Sequence, residues 1–325
     1  MQKKIKKIIE IINEYDNFLI VGHVGADGDS IGSVTALTRL LKKKNKKVRA
    51  YLNRDTLAPF SFLEVKEEIF YTDAKKLKKE LKAEDYILIS LDSGTRERVD
   101  LDEEIINSAQ FIINIDHHAD NSYFGKINLV QSDRAAVGEI IYNFAVEMLD
   151  NKIPFTIAEP LGTAIITDTG ALRYENTTSR VLRILADLMD TGVNIYKINK
   201  KVFGSLSYRA LILKGMALAT LEKSENGKIA WLYVSRQMMH EAGTDYTEGL
   251  VGLARDIKNV EIGILFTEEE EKEIKVSLRS NFYAEVNKLA AEFNGGGHPR
   301  ASGATVEKTL QEVIDSVVEA AKKYV

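Results

Sequence analysis

The first half of the chain alternates short apolar runs with segments whose apolar residues recur at helical spacing. The apolar runs lie at residues 17–22, 48–52, 85–91 and 111–115. Helical spacing occurs at residues 3–14, 30–44, 135–149 and 155–167. Short buried strands that alternate with helices build a parallel sheet, covered on both faces and joined by right-handed crossovers. We therefore expect a doubly wound, mostly parallel α/β domain, which would bind ligands at the carboxyl ends of its strands.

The pattern changes after residue 190. Two helical segments lie at 195–203 and 206–221, and strand-like runs lie at 228–234, 260–267 and 273–279. They are followed by a glycine-rich turn at 294–298, a strand near Ala304 and an amphipathic helix at 310–324. A length of 325 residues fits two domains. We predict a first domain at 1–190, a helical linker at 191–212 and a smaller α/β domain at 213–325.

The composition excludes several classes of function. The chain has no Cys, which rules out disulfides, thiolate metal sites and a cysteine nucleophile. A net charge of −4 provides no global positive field for long duplex nucleic acid, so a polyanion would need a local site. Glu10 and Glu14 interrupt the apolar residues of the basic N-terminus, and no apolar run approaches the ~18 residues that span a membrane. We expect a cytoplasmic protein without a membrane partner.

Acidic or imidazole side chains follow three predicted strands of the first domain and end one of its helices. These residues are His23, Asp27 and Asp29 after the first strand, Asp92 after the next, Asp116, His117 and His118 after the last, and Asp168 at the end of the helix. The carboxyl ends of neighbouring parallel strands meet at one edge of a sheet. We therefore expect these side chains to converge there.

Two interpretations of this convergence compete. A single aspartate at such a position caps a helix or turn, which would suit Asp29 before a predicted helix and Asp92 before Ser-Gly. Four carboxylates in one crevice, however, would raise one another's pKa unless cations offset their charge. Carboxylate and imidazole ligands suit Mn²⁺, Mg²⁺ or Fe²⁺ more than a structural zinc site. We predict two divalent ions, with Mn²⁺ as the first choice and Mg²⁺ or Fe²⁺ as alternatives.

The order of the motifs H-x-x-x-D-x-D, D-S-G, D-H-H and D-T-G resembles the DHH family of phosphoesterases. The segment GGGHPRASG at 295–303 is similar to the glycine-rich substrate loop of the associated DHHA1 domain. The length resembles the stand-alone branch of the family, which comprises oligoribonucleases (nano-RNases) and 3′-phosphoadenosine 5′-phosphate phosphatases. The resemblance thus implies a metal-dependent hydrolase with exoribonuclease or phosphatase activity.

The resemblance also implies roles for individual residues. One metal would be held by His23, Asp27 and Asp92, and a second by Asp29, Asp92, His117 and Asp168. His118 would face the scissile phosphate. Asp116 would orient an imidazole, although a turn-capping role fits it equally well.

In the second domain, the resemblance implies a substrate-binding loop and one basic residue. The loop residues are Gly295, Gly296, Gly297, His298, Ser302 and Gly303. Glycines let backbone N–H groups approach an anion, although a glycine-rich hairpin is the commoner explanation of such a run. Arg279 matches the basic residue that binds a terminal phosphate or carboxylate.

The favoured substrates are short single-stranded RNA and small nucleotides, hydrolysed with water that two metals activate. Cyclic di-AMP or its product pApA is the alternative substrate, and a non-catalytic nucleotide sensor is the alternative class. An exopolyphosphatase would need a long basic channel, which the sequence does not indicate. Long duplex nucleic acid is not expected as a partner, and the sequence leaves a homodimer open.

Overall fold

A computed structural model of the chain describes residues 2–65, 70–81, 84–204 and 206–325. The chain divides into two compact units, Met1–Ser205 and Leu206–Val325. The predicted linker at 191–212 spans this division. Its first helix packs against the first unit and its second against the second unit, so the two helices belong to different units.

The first unit contains a six-stranded sheet in which every neighbouring pair is parallel. Its strands are β1 (Asn17–Val21), β2 (Lys47–Tyr51), β3 (Phe70–Tyr71), β4 (Ile87–Leu91), β5 (Phe111–Asp116) and β6 (Ile127–Val130). The spatial order is β3-β2-β1-β4-β5-β6. The predicted parallel α/β sheet is confirmed, although the short strands β3 and β6 were not predicted from the sequence.

Helices cover both faces of this sheet. They are α1 (Gln2–Glu14), α2 (Gly28–Lys43), α3 (Ala74–Leu81), α4 (Glu103–Ser108), α5 (Val137–Met148), α6 (Phe155–Asp168), α7 (Ser179–Asp190) and α8 (Ile195–Val202). Short 3-10 helices lie at Arg54–Thr56, Ala58–Leu63 and Arg96–Arg98. In β1, Phe18 and Ile20 join one apolar cluster while Leu19 and Val21 join another. Burial on both faces explains why the strand sequences are continuously apolar.

Two glycines on one face of α2 let α6 approach very closely. A side chain at Gly32 would place its Cβ 2.5 Å from the Pro160 carbonyl oxygen, and one at Gly28 would meet the Thr167 side chain at 2.3 Å. A Cβ at Gly138 of α5 would likewise lie 2.6 Å from the Ala164 Cβ. The first turn of α2, the start of α5 and the end of α6 are thereby brought together above the sheet.

The second unit contains a mixed six-stranded sheet in the order β11-β12-β10-β9-β8-β7. Its strands are β7 (Glu222–Lys223), β8 (Ile229–Val234), β9 (Ile262–Glu270), β10 (Glu273–Ser280), β11 (Gly296–His298) and β12 (Ala301–Val306). Only β8 and β9 pair in parallel within the part of the unit that is described. The glycine-rich segment, predicted as a turn, forms the edge strand β11, and the chain turns at Pro299–Arg300 instead.

Helices pack on both faces of the second sheet. They are α9 (Tyr208–Ala219), α10 (Arg236–Ala242), α11 (Leu250–Arg255), α12 (Val286–Ala291) and α13 (Leu310–Ala321), followed by a 3-10 turn at Lys322–Tyr324. Side chains of α12 and α13 form an apolar cluster on one face, and those of α9 to α11 form a cluster on the other. Among the described residues, no helix is both long enough and apolar enough to cross a bilayer.

Candidate metal centre

The acidic and imidazole residues predicted for the first domain lie together at the carboxyl edge of its sheet. Because β1, β4 and β5 are neighbours, the segments that follow these strands are adjacent. The ligand atoms form three overlapping groups, each with its atoms within 4.8 Å of one another. These groups are His23, Asp27 and Asp92; Asp29, His117 and Asp168; and Asp92, His117 and His118.

Asp92 belongs to two of these groups, and His117 connects the third group to them. Its Oδ2 lies 3.5 Å from His23 Nε2, and its Oδ1 lies 3.5 Å from His117 Nε2. His23 Nε2 is also 3.7 Å from Asp27 Oδ1. His117 Nε2 is 3.9 Å from Asp29 Oδ2 and 3.5 Å from Asp168 Oδ2. A central carboxylate between two imidazoles is the arrangement expected of a ligand shared by two ions.

The helix-capping interpretation applies to Asp27 rather than to Asp29. Asp27 Oδ1 accepts hydrogen bonds from the backbone N–H groups of Asp29 at 3.0 Å and Ser30 at 3.1 Å, and so caps α2. Asp29 lies inside the first turn of α2 and is almost fully buried. Its carboxylate accepts from the N–H groups of Val137 at 2.6 Å and Gly138 at 2.9 Å, at the start of α5. The positive end of α5 thus stabilises the negative charge of Asp29.

Each imidazole is oriented through its Nδ1. The Nδ1 of His23 donates to the Val24 carbonyl at 2.9 Å, and that of His117 donates to the Arg134 carbonyl at 3.2 Å. Carbonyl oxygens accept only, so each Nδ1 carries the proton and each Nε2 faces the carboxylates. Nδ1 anchoring of this kind fixes the tautomer of a metal-binding histidine.

His118 is held differently. Its Nδ1 lies 2.7 Å from Oδ1 of the fully buried Asp116, which is the contact that an orienting role of Asp116 would need. Asp116 Oδ2 accepts from Asn121 Nδ2 at 2.6 Å, and the same amide nitrogen contacts Asn114 Oδ1 at 2.8 Å. Sequence reasoning missed Asn121, because an Asn in a polar segment is typical of a turn.

Asp92 has an unusual backbone conformation as well as a central position. Its φ is 59°, in the left-handed region that a non-glycine residue adopts only when the surroundings require it. The side chain is 2% exposed, and among the described residues Oδ1 has no hydrogen-bond partner. Leaving a buried carboxylate oxygen without a partner costs stability. A cation at this oxygen would remove that cost, so the donor set fits a metal.

The electrostatics of the carboxylates also favour a cation. Burial, reinforced by the charges of Asp92 and Asp168, raises the pKa of Asp29 well above its usual range. Burial likewise raises the pKa of Asp168 to about 7. Asp92 departs from the upward shift expected from the sequence. Burial opposes its ionisation, but the nearby imidazoles of His117 and His23 outweigh burial and hold its pKa below the usual range.

The residues predicted to bind substrate lie in the second unit, on β10 and on the hairpin of β11 and β12. Arg279 pairs across the sheet with Ala301 and Gly263, and its Nη1 donates to the Leu278 carbonyl at 2.9 Å. Ser302 Oγ donates to the His298 carbonyl at 2.6 Å, which ties the two arms of the hairpin together. Arg279 and Ser302 thus lie on adjacent antiparallel strands.

The three consecutive glycines Gly295, Gly296 and Gly297 differ in what they require. A Cβ at Gly295 would lie 2.2 Å from the Gly303 carbonyl oxygen, and Gly297 has a φ of 135° with a Cβ position 2.7 Å from the Ala301 carbonyl oxygen. Packing therefore explains these two glycines. A Cβ at Gly296 would meet no described heavy atom within 4 Å. Gly296 therefore leaves accessible backbone that a ligand could contact.

Comparison with known proteins finds one family model in each of the two units. The model of the DHH family N-terminal domain matches residues 17–165, and the model of the DHHA1 domain matches residues 220–325. The first match contains the β1, β4 and β5 edge, and the second contains the glycine hairpin.

Relatives match over almost the whole chain. A bifunctional oligoribonuclease and PAP phosphatase NrnA from Thermus thermophilus is 31% identical and covers 99% of this chain and 94% of the relative. The NrnA protein from Bacillus subtilis is 27% identical, with 92% of each chain covered. The crystal structure of an exopolyphosphatase-related protein from Bacteroides fragilis has a TM-score of 0.92 at 28% identity, covering 100% of this chain and 97% of that one. Because both domain models match in order and NrnA-type relatives align nearly end to end, the chain belongs to the DHH family of phosphoesterases and carries its DHHA1 domain.

Proposed function

We propose that this chain is a metal-dependent hydrolase that removes nucleotides from short oligoribonucleotides and removes a phosphate from 3′-phosphoadenosine 5′-phosphate (PAP). The observation that carries the proposal is the position of Asp92, which lies 3.5 Å from an imidazole on each side and has a buried oxygen without a described partner. The NrnA-type relatives, described as oligoribonucleases and PAP phosphatases, supply the substrate class.

The proposed metal ligands are those of the group with His23 and of the group with Asp168, and Asp92 joins the second group through its contact with His117. His23, Asp27 and Asp92 would hold one ion, and Asp29, Asp92, His117 and Asp168 would hold the other. We propose two divalent ions here, with Mn²⁺ as the first choice and Mg²⁺ or Fe²⁺ as alternatives, because carboxylate and imidazole donors without thiolate favour hard or borderline divalent ions. Bound divalent ions supply an activated water and polarise phosphoryl oxygens.

His118 is the proposed proton donor to the reacting phosphate. Burial lowers its pKa, but the hydrogen bond with Asp116 and the nearby Asp92 outweigh this, so the pKa of His118 is raised. With Nδ1 engaged by Asp116, Nε2 is the ring nitrogen that would donate a proton to a substrate oxygen. A positively charged donor held in place stabilises the charge that develops on a transferred phosphoryl group.

Arg279 and the glycine hairpin would bind the part of the substrate that does not react. A guanidinium binds a phosphate through charge-assisted hydrogen bonds, and Gly296 leaves backbone accessible to it. A site built from one arginine and a short hairpin suits a few nucleotides, whereas long strands need an extended basic groove. Exclusion of duplex substrates, cytoplasmic location and a homodimer remain predictions.

Product analysis tests this proposal. The Mn²⁺-loaded protein is incubated separately with PAP, a five-nucleotide RNA, pApA and cyclic di-AMP, and the released nucleotides are separated by chromatography. We expect AMP from PAP and stepwise shortening of the RNA. Rapid hydrolysis of cyclic di-AMP, with PAP and RNA intact, would replace the proposal with a cyclic-dinucleotide phosphodiesterase. Saturable binding of these nucleotides without any product would identify a sensor.

A further inference from the structure

Two consecutive aromatic side chains of the second unit lie in solvent just after β10. Phe282 is 78% exposed and Tyr283 is 54% exposed. Single exposed apolar residues are common, but two adjacent large rings on one loop are a different case. Neither ring belongs to the apolar clusters on the two faces of the second sheet. Core packing therefore does not explain these rings, whereas a bound ligand would.

A buried carboxylate holds the backbone that carries both rings. Glu261, which is 2% exposed, accepts hydrogen bonds through Oε1 from the N–H groups of Phe282 at 3.1 Å, Tyr283 at 2.7 Å and Ala284 at 2.7 Å. Burying a carboxylate is costly unless charge-assisted hydrogen bonds compensate. All three of these N–H groups belong to the ring-bearing loop, so Glu261 fixes the loop in one conformation.

The residue before the rings fixes the other side of the loop. Asn281 Nδ2 donates to the carbonyl oxygens of Arg255 at 2.9 Å and Val260 at 2.8 Å, and the Asn281 N–H donates to the Glu261 carbonyl at 2.9 Å. A loop held at four successive residues, 281 to 284, loses little further backbone freedom when a ligand binds. The rings therefore form a pre-organised surface.

The ring-bearing loop is bonded directly to the turn of the glycine hairpin. The Ser280 N–H donates to the Arg300 carbonyl at 3.1 Å, and the Val286 N–H donates to the Pro299 carbonyl at 2.9 Å. Arg300 Nη1 donates in return to the Ala284 carbonyl at 2.9 Å. The aromatic pair and the residues proposed to bind phosphate are thus parts of one hydrogen-bonded assembly.

We infer that Phe282 and Tyr283 form a stacking platform for a nucleobase of the short substrate, an inference that rests on the proposed function. Aromatic rings beside basic groups are the combination that binds single-stranded nucleic acid, because every base has a face that can stack. The neighbouring arginines and glycine backbone suit the phosphate of the same nucleotide. An apolar protein partner would not require this pairing of rings with anion-binding groups.

Binding without turnover tests the platform. A 5′-phosphorylated dinucleotide that contains 2-aminopurine is titrated with the protein in EDTA, because stacking on an aromatic ring quenches 2-aminopurine fluorescence. We expect Phe282→Ala and Phe282→Leu each to weaken binding roughly 5- to 140-fold and to lose the quench. Phe282→Trp should bind like the parent, and so should Tyr246→Ala, the matched removal of an exposed aromatic elsewhere in the unit.

Two results would overturn the platform: parent-like binding by Phe282→Ala and Phe282→Leu, or a parent chain that leaves the fluorescence unchanged. A kinetic arm compares pApA with two analogues of the same dinucleotide, each lacking one of the two bases. Phe282→Ala should lower kcat/KM for pApA and leave the analogue that lacks the stacked base at the parent's rate. If the parent hydrolyses none of these substrates while Phe282-dependent quenching persists, the proposed function fails and the platform stands.

Discussion

At the scale of single residues, Asp92 differs from an aspartate that only caps a turn. Its backbone N–H bonds the Ile115 carbonyl at 3.0 Å, which joins the end of β4 to β5 while its φ stays at 59°. Its carboxylate lies between two imidazoles. The carboxylate of Asp27, in contrast, accepts hydrogen bonds from local backbone N–H groups. The position of Asp92 at a strand end could be predicted from the D-S-G sequence. The strained backbone could not, because it depends on the neighbouring strand.

Asp92→Ala should reduce turnover of PAP on the order of 1,000-fold or more. The loss of a shared carboxylate would displace both ions, and the reaction would lose several kcal/mol of charge stabilisation. Metal analysis of the variant should show fewer ions per chain than in the parent. Asp190→Ala, which removes an exposed carboxylate at the end of α7, serves as the matched control and should change neither quantity. A fully loaded, fully active Asp92→Ala protein would refute the shared-ligand assignment.

Asn121 acts through Asp116, so its removal should affect rate more than metal content. Asn121→Ala takes away the 2.6 Å hydrogen bond to Asp116 Oδ2 and frees the carboxylate that orients His118. We expect kcat for PAP to fall roughly 10- to 100-fold, with KM and the number of bound ions nearly unchanged. Steady-state kinetics with metal analysis checks this, and the exposed Asn107→Ala is the control. If the variant lost bound metal as well as activity, Asn121 would only support the fold.

At the scale of helices and strands, periodicity was sufficient to predict the sheet edge at which the candidate ligands meet. Parallel strands rich in apolar residues have few alternative arrangements, so the acidic segments after β1, β4 and β5 had to converge. Asn114 on β5 and Asn121 in the following loop are in contact because the loop packs back against the strand. No spacing rule predicts that contact. The closeness of α2 and α6 was also missed, because glycine inside a helical pattern argues against a helix rather than for a close contact.

Gly32→Ala should force α2 and α6 apart. The new Cβ would lie 2.5 Å from a backbone oxygen, which cannot rotate away as a flexible side chain can. We expect the free energy of unfolding to fall by about 1–3 kcal/mol, measured by urea denaturation. Gly215→Ala in α9 is the matched helix substitution, since its Cβ meets no described atom within 4 Å. That variant should be stabilised by about 0.5–1 kcal/mol, and an equal response of both variants would contradict the packing explanation.

At the scale of the whole molecule, chemistry and substrate binding are assigned to different units. The predicted metal ligands all lie within Met1–Ser205, whereas Arg279 and the glycine hairpin lie within Leu206–Val325. The sequence could separate these roles because the D-H-H and GGGHP motifs are far apart in the chain. The Glu261-anchored loop could not be recognised from sequence, because Glu261 and Phe282 are 21 residues apart and neither belongs to a motif.

Arg279→Ala should lower kcat/KM for pApA roughly 10- to 150-fold, mainly through KM, because it removes a charge-assisted hydrogen bond to a group that does not react. Bis-p-nitrophenyl phosphate has no distal phosphate for the arginine to bind, so parent and variant should hydrolyse it equally. Asp168→Ala should be inactive on both substrates. Equal losses for Arg279→Ala on both esters would place the arginine at the reacting phosphate and contradict the division of roles.

The proposed function requires that the side chains around Asp92 form a metal centre that hydrolyses nucleotide phosphoesters. The most direct measurement is the rate of AMP release from PAP after prolonged EDTA dialysis, followed stepwise as Mn²⁺ is added back. Carboxylate and imidazole ligands without thiolate bind exchangeable ions, so we expect no release after dialysis and a saturable recovery with Mn²⁺. Full AMP release by the dialysed protein, unchanged by added Mn²⁺, would contradict metal-dependent hydrolysis.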